Sequence, residues 1–165
     1  MLLEVGKKRF PFLVGWNTEY WPDHALKRKQ LADGTWSGQY TYDLRGNLYG
    51  IDNAAVTSAS EPDSFMQSAS YNARGQVVAE TKGNGVGSAY TYNPQRGFLT
   101  RILTTSGATT LQDLTYARSA SGMINSITSP DLGRSWIYSY DGLDRLITAD
   151  NQNGTGDRSS LIIII

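Results

Sequence analysis

His24 is the only histidine in the chain, so a Ser-His-Asp relay would have to be built on it. No Gly-x-Ser-x-Gly nucleophile elbow occurs, and His24 reads as a surface or packing residue. Asp141 and Asp144 are close enough in sequence to suggest paired carboxylates for acid–base work. A repeat, set out below, accounts for Asp141 as a turn residue instead. The stretch Asp150-Asn151-Gln152-Asn153-Gly154-Thr155-Gly156-Asp157 has the composition of a calcium loop. Its spacing fails, because the best register starts at Asn151 and puts Ile162 where the last acidic ligand belongs. It reads as a flexible connector. Gly83-Asn84-Gly85-Val86-Gly87 leads into the strand-like Ala89-Tyr90-Thr91-Tyr92, where a dinucleotide fingerprint needs a helix. Cysteine is absent, which removes disulfides, thiolate nucleophiles and Cys-based zinc sites. The expectation is therefore no catalytic residue, no metal, no cofactor and no enzymatic activity.

The tryptophans offer a different chemistry. Trp16, Trp21, Trp36 and Trp136 lie outside the tyrosine positions of the repeat. Exposed indoles can stack on sugar rings, which makes a carbohydrate or cell-surface binding module the alternative reading. The preferred reading has them packed on a sheet or under neighbouring loops. Lys plus Arg and Asp plus Glu each number 15, giving a formal net charge of zero. Phosphate binding needs excess positive charge, so no nucleic-acid partner is expected. The clusters Lys7-Lys8-Arg9 and Lys27-Arg28-Lys29 read as solvated faces. No apolar run reaches membrane-spanning length. The basic residues near the N-terminus follow the apolar ones, the wrong order for a signal peptide. The terminal Leu161 to Ile165 reads as a truncated strand, or as a chain end that is not native sequence.

The elements that would position these residues come from a repeat. Its unit is a tyrosine or small residue, a polar residue, Tyr, Asp or Asn, a short gap, Gly, any residue and an aliphatic. The clearest copy is Tyr40-Thr41-Tyr42-Asp43-Leu44-Arg45-Gly46-Asn47-Leu48. Ala69-Ser70-Tyr71-Asn72-Ala73-Arg74-Gly75-Gln76-Val77 is a second. Tyr90-Thr91-Tyr92-Asn93-Pro94-Gln95-Arg96-Gly97-Phe98-Leu99 is a third, one residue longer in the gap. A looser fourth copy has Leu114-Thr115-Tyr116 and then Gly122-Met123-Ile124. The fifth is Tyr138-Ser139-Tyr140-Asp141-Gly142-Leu143-Asp144-Arg145-Leu146, with Asp144 where Gly is expected. A worn copy with Tyr20, Asp23 and Leu26 precedes them.

Each unit has a local physical meaning. Tyr-x-Tyr puts both rings on one face of a strand. The Asp or Asn that follows can bond its own backbone and start a turn. Gly three residues later supplies the positive φ that closes a type I turn with a bulge. The aliphatic two residues past Gly opens the return strand. Ile102 after Leu99, and Ile127 after Ile124, depart from strict alternation. Turn signals at Asp33-Gly34, Asn84-Gly85 and Ser129-Pro130-Asp131 close the opposite ends. The pattern predicts strand and turn in alternation, with room for a short helix only at Pro22 to Leu31 and an enlarged loop from Ala54 to Gln67. Three regions follow: an irregular segment over 1–35 with the degenerate repeat, the hairpin array over 36–150, and a flexible connector with an apolar tail over 151–165. The repeat-anchor residues are Tyr42, Asp43, Gly46, Tyr71, Asn72, Gly75, Tyr92, Asn93, Gly97, Tyr116, Gly122, Tyr140 and Asp141.

These residues resemble the YD-repeat family, also called Rhs repeats. The resemblance rests on Tyr40-Thr41-Tyr42-Asp43 with Gly46, on Tyr90-Thr91-Tyr92-Asn93 with Gly97, and on Tyr138-Ser139-Tyr140-Asp141. It covers roughly residues 27–150. It implies an all-β fold in which tandem antiparallel hairpins form a curved, spiralling sheet, a segment of a hollow shell. Family members include bacterial polymorphic toxins, insecticidal toxin complexes, wall-associated proteins and teneurins. The resemblance implies a secreted or cell-surface location, and a parent protein whose shell encloses or displays a toxin or effector. The implied partners are neighbouring repeats and a C-terminal effector domain. The family's self-cleavage region, with its Asp-Pro-x-Gly context, is not in this sequence. The chain therefore reads as a fragment with too few repeats to close a shell.

Overall fold

A computed structural model describes residues 17–30, 35–36, 38–53, 63–130, 134–152 and 160–162. The chain divides into two compact units, residues 1–65 and 66–165. The described residues are strand and turn, and every strand pair whose register is resolved is antiparallel.

In the first unit, β1 (Thr18–Tyr20) pairs with β2 (Leu26–Lys29), and β3 (Gln39–Tyr42) pairs with β4 (Leu48–Asp52). The short helix expected at Pro22 to Leu31 does not form, because Leu26 to Lys29 are drawn into a strand. Glu19, on β1, sits opposite Arg28 and accepts a forked pair of bonds from its guanidinium at 2.8 and 2.9 Å. Such bidentate pairing needs the extended register and would be lost in a helix. Gly38 is buried where a Cβ would lie 2.4 Å from Ile51, so only glycine allows this approach to β4.

In the second unit, nine strands follow one another as a meander. They are β5 (Ser64–Tyr71, whose first two residues belong to the first unit), β6 (Val77–Lys82), β7 (Val86–Tyr92), β8 (Leu99–Ser106), β9 (Thr109–Arg118), β10 (Ile124–Thr128), β11 (Trp136–Tyr140), β12 (Leu146–Asn151) and β13 (Ser160–Ile162). Neighbours in sequence are neighbours in the sheet. The enlarged loop expected over 54–67 is shorter at its C-terminal side, since β5 begins at Ser64. Its residues 54–62 lie outside the described residues, as do Trp16, Asp33-Gly34 and the connector at 153–159. Ser160 to Ile162 pair with Asp150 to Thr148.

The hairpins that carry the repeat turns show a register shift just before the turn: Tyr42 pairs with Leu48 but Thr41 pairs with Gly50, and Tyr92 pairs with Leu99 but Thr91 pairs with Arg101. One return-strand residue is thus left unpaired, the geometry of a bulge. A similar shift between Ile124 and Ser126 explains why aliphatics there are three apart. Along β7 and β11 the exposure alternates, with Tyr90 and Tyr92, and Trp136, Tyr138 and Tyr140, half-buried on one face. Among the described residues, only the small apolar side chains Ala69 and Ala149 are buried, together with Ser88, Ser135 and Asn151. A single sheet layer with half-buried rings must therefore draw much of its stability from contact between successive hairpins.

Candidate functional site

The recurring site is the turn that closes each repeat, and its joint with the next. In the clearest copy, the Gly46 amide donates to the Asp43 carbonyl at 3.0 Å, and the Asp43 amide donates to the Asn47 carbonyl at 2.8 Å. The Asp43 carboxylate accepts from the Arg45 and Asn47 amides at 2.8 and 2.9 Å and from the Asn47 side chain at 2.9 Å. These bonds, led by Asn47, hold the Asp43 carboxyl below its usual value. Asn72 does the same work without charge, accepting from the Arg74 and Gln76 amides. Asp141 accepts from the Arg145 backbone and side chain, which hold its carboxyl low as well.

Gly46, Gly75, Gly97 and Gly122 have φ of 80, 74, 72 and 99°. Asp144 fills the same place with φ 61°. The worn copy adopts the same frame. Tyr20 pairs with Leu26, the Trp21 amide donates to Ala25, and His24, at φ 67°, donates to the Trp21 carbonyl. The lone histidine thus stands where other repeats have glycine.

Register also shows how the fourth copy is built. The residue facing the first residue of the return strand is Tyr42, Tyr71, Tyr92 and Tyr140 in four copies, against Leu48, Val77, Leu99 and Leu146. In the fourth copy it is Arg118, against Ile124. Tyr116 lies two residues earlier, the position of Tyr40, Tyr90 and Tyr138. The Arg118 Nε donates to the Leu99 carbonyl at 3.4 Å. This parallels the Tyr92 hydroxyl on Val77 and the Tyr140 hydroxyl on Ile124, both at 2.8 Å.

A second set of contacts ties neighbouring turns. Arg74 donates to the Pro94 and Gln95 carbonyls at 2.9 and 3.1 Å, and Gln76 donates to the Gly97 carbonyl at 2.7 Å. Arg96 donates to the Ala120 carbonyl one turn further on. Phe98 lies against Gly122, where a Cβ would meet its ring at 2.9 Å. Sequence reasoning missed these residues. Their signal was the arginine directly before glycine in Arg45-Gly46, Arg74-Gly75 and Arg96-Gly97.

Among the described tryptophans, Trp21 and Trp36 are engaged. Trp21 is half-buried, donates from its indole to the Tyr40 carbonyl at 2.9 Å, and lies 4.9 Å beneath the Lys27 ammonium. Trp36 lies 4.2 Å beneath the Arg28 guanidinium. The Lys27-Arg28 cluster is therefore held by aromatic rings and Glu19 rather than simply solvated. Trp136 is half-buried in line with Tyr138 and Tyr140.

Turn, bulge and inter-hairpin bond, repeated at intervals of about two strands, define an all-β array of tandem hairpins. No family model matches the chain. It is 34% identical over 147 residues to toxin subunit YenC2 of Yersinia entomophaga, a match that takes in 73% of this chain and 15% of that protein. A structure of the Photorhabdus luminescens Tc holotoxin pore matches with a TM-score of 0.74 and 26% identity, over 82% of this chain and 7% of the other. A crystal structure of TcdB2-TccC3-Cdc42 shares the fold, with a TM-score of 0.72 and 24% identity over 88% of this chain and 8% of the other. The chain belongs to the YD-repeat, or Rhs-repeat, family. It spans about 15% of the length of the curated relative it matches.

Proposed function

We propose that this chain is a wall segment of a secreted YD-repeat toxin shell that encloses or displays an effector domain, and that its role is architectural rather than catalytic. The observation that supports this reading most directly is the joint between repeats. Tyr92 and Tyr140 each bond back to the preceding hairpin, and Arg74, Gln76 and Arg96 each reach forward to the next turn. Such a design suits a surface that must extend without gaps, since each hairpin is held by both neighbours. The matched relatives are named as toxin components, which favours the same reading.

The test uses the intact parent protein. Tyr92→Ala with Tyr140→Ala removes two half-buried rings and two joints. The expected result is faster proteolysis of the C-terminal effector region under native conditions, with the isolated effector's own cleavage rate as the upper bound. Unchanged protection in the double variant, with the wall measurably destabilised, would show that this segment encloses nothing.

A further inference from the structure

The joint between the third and fourth repeats departs from its neighbours in two ways at once. The third turn carries one extra residue between Asn93 and Gly97, so Gly97 donates to the Asn93 carbonyl across a wider loop, and Phe98 stands where Asn47 and Gln76 stand in other turns. The fourth repeat replaces the joint tyrosine with Arg118. Together these changes open a recess of about 300 Å³ lined by Asn93, Arg96, Phe98, Tyr116, Arg118 and Ser119, among others.

The chemistry of this recess is one-sided. The Arg96 and Arg118 guanidiniums lie 5.9 and 5.5 Å from the centre of the same Phe98 ring. Their hydrogen bonds go to main-chain carbonyls of Ala120, Leu99 and Gly122. A carbonyl accepts a bond but does not neutralise a charge. The carboxylates of the same unit whose ion pairs are described are taken elsewhere: Glu80 by Lys82, Asp113 by Arg101, and Asp141 by Arg145. Two cations therefore share one ring with no carboxylate paired to either, among the described residues. Each guanidinium has five N–H donors, and only one or two are engaged.

We infer that this recess is an oxyanion site that takes a carboxylate or a phosphate group between the Arg96 and Arg118 guanidiniums. Guanidinium forks match both groups. The site does not depend on the shell reading, since it is built within one unit from this chain's own side chains.

The test is titration of the full chain with inorganic phosphate and, separately, with acetate at constant ionic strength, followed by NMR of the arginine Nε–H groups. Saturable shifts at Arg96 and Arg118, with Arg101 unmoved, are expected. The stronger of the two anions tells which oxyanion geometry the site prefers. Arg118→Tyr restores the pattern of the other repeats, so it should fold and lose saturable binding. Arg96→Gln removes the other guanidinium and should weaken binding about tenfold or more, the worth of one bond to a charged group. Shifts that grow linearly with either anion, or wild-type affinity in both variants, would overturn the proposal.

Discussion

The Tyr92 hydroxyl donates at 2.8 Å to the carbonyl of Val77, one hairpin back in the chain. Val77 opens the return strand of that hairpin, so the bond joins two repeats rather than closing one. Tyr140 makes the same bond to Ile124, which opens β10. Tyr92→Phe and Tyr140→Phe keep the ring and delete only the joint. Each should lower stability by about 1 kcal/mol, the usual net worth of such a bond. Tyr49, which is 51% exposed on β4, is the control. Urea midpoints for Tyr92→Phe and Tyr140→Phe that equal that of Tyr49→Phe would show that the bonds carry nothing.

The turn glycines separate backbone strain from crowding. At Gly46, φ is 80° and a Cβ would meet nothing within 4 Å, so Gly46→Ala costs only the left-handed conformation. That is about 1–2 kcal/mol. Gly142 also has open space but no positive φ, and Gly142→Ala should be tolerated. Gly122→Ala adds a clash with Phe98 at 2.9 Å to a φ of 99°, and should cost the most of the three. Thermal unfolding should rank the loss as least for Gly142→Ala, more for Gly46→Ala and most for Gly122→Ala, and equal melting temperatures would contradict it.

Acid should act on some turns and not on others. Asp43 and Asp141 have carboxyls held below the ordinary value of 3.8 by the bonds that close their turns. A group depressed in the folded state stabilises it above its unfolded value and loses that contribution as pH falls through the folded one. The 43–47 and 141–145 turns should therefore loosen as pH drops below about 4. The 72–76 and 93–98 turns are built on Asn72 and Asn93, which do not titrate, and should hold. Amide exchange at Asn47 and Arg145, compared with Gln76 across an acid series, checks this. Asp43→Asn should abolish the acid response at Asn47.

What could be read from the sequence was what short-range chemistry encodes. Asp43 to Gly46 announces its turn because the side-chain acceptor, the donors and the positive φ all fall between Asp43 and Asn47. The hairpin at Tyr20 to Leu26 was only half legible, since Trp21 and His24 stand where Asp and Gly stand elsewhere and hold the same backbone without the expected letters. Arg118 was passed over for Tyr116 because the joint position is defined by pairing with Ile124, not by residue type. The strand at Leu26 to Lys29 depends on Glu19 across the ribbon, a pairing that propensity within Pro22 to Leu31 does not contain. Arg74 and Arg96 reach partners 20 to 24 residues away, a distance at which a pattern read one repeat at a time is blind.

Those arginines carry the last prediction, that neighbouring turns open together. The Arg74 Nη2 donates to both the Pro94 and Gln95 carbonyls, and Gln76 holds the Gly97 carbonyl, so the 72–76 turn braces the wider 93–98 turn from outside. The Gly97 amide closes that wider turn by donating to Asn93, which makes its exchange rate a direct reading of local opening. Arg74→Met keeps much of the stem and removes the donors. Exchange at Gly97 should rise about tenfold, the equivalent of one charge-assisted bond. Exchange at Gly46 should not move, because the 43–47 turn closes on its own side chains. Arg74→Lys should recover part of the loss, since both bonds come from one nitrogen and an ammonium can also donate twice, but without the planar guanidinium's fixed directions. If Gly97 exchanges at the same rate in all three proteins, the turns open independently and the brace is a contact without mechanical consequence.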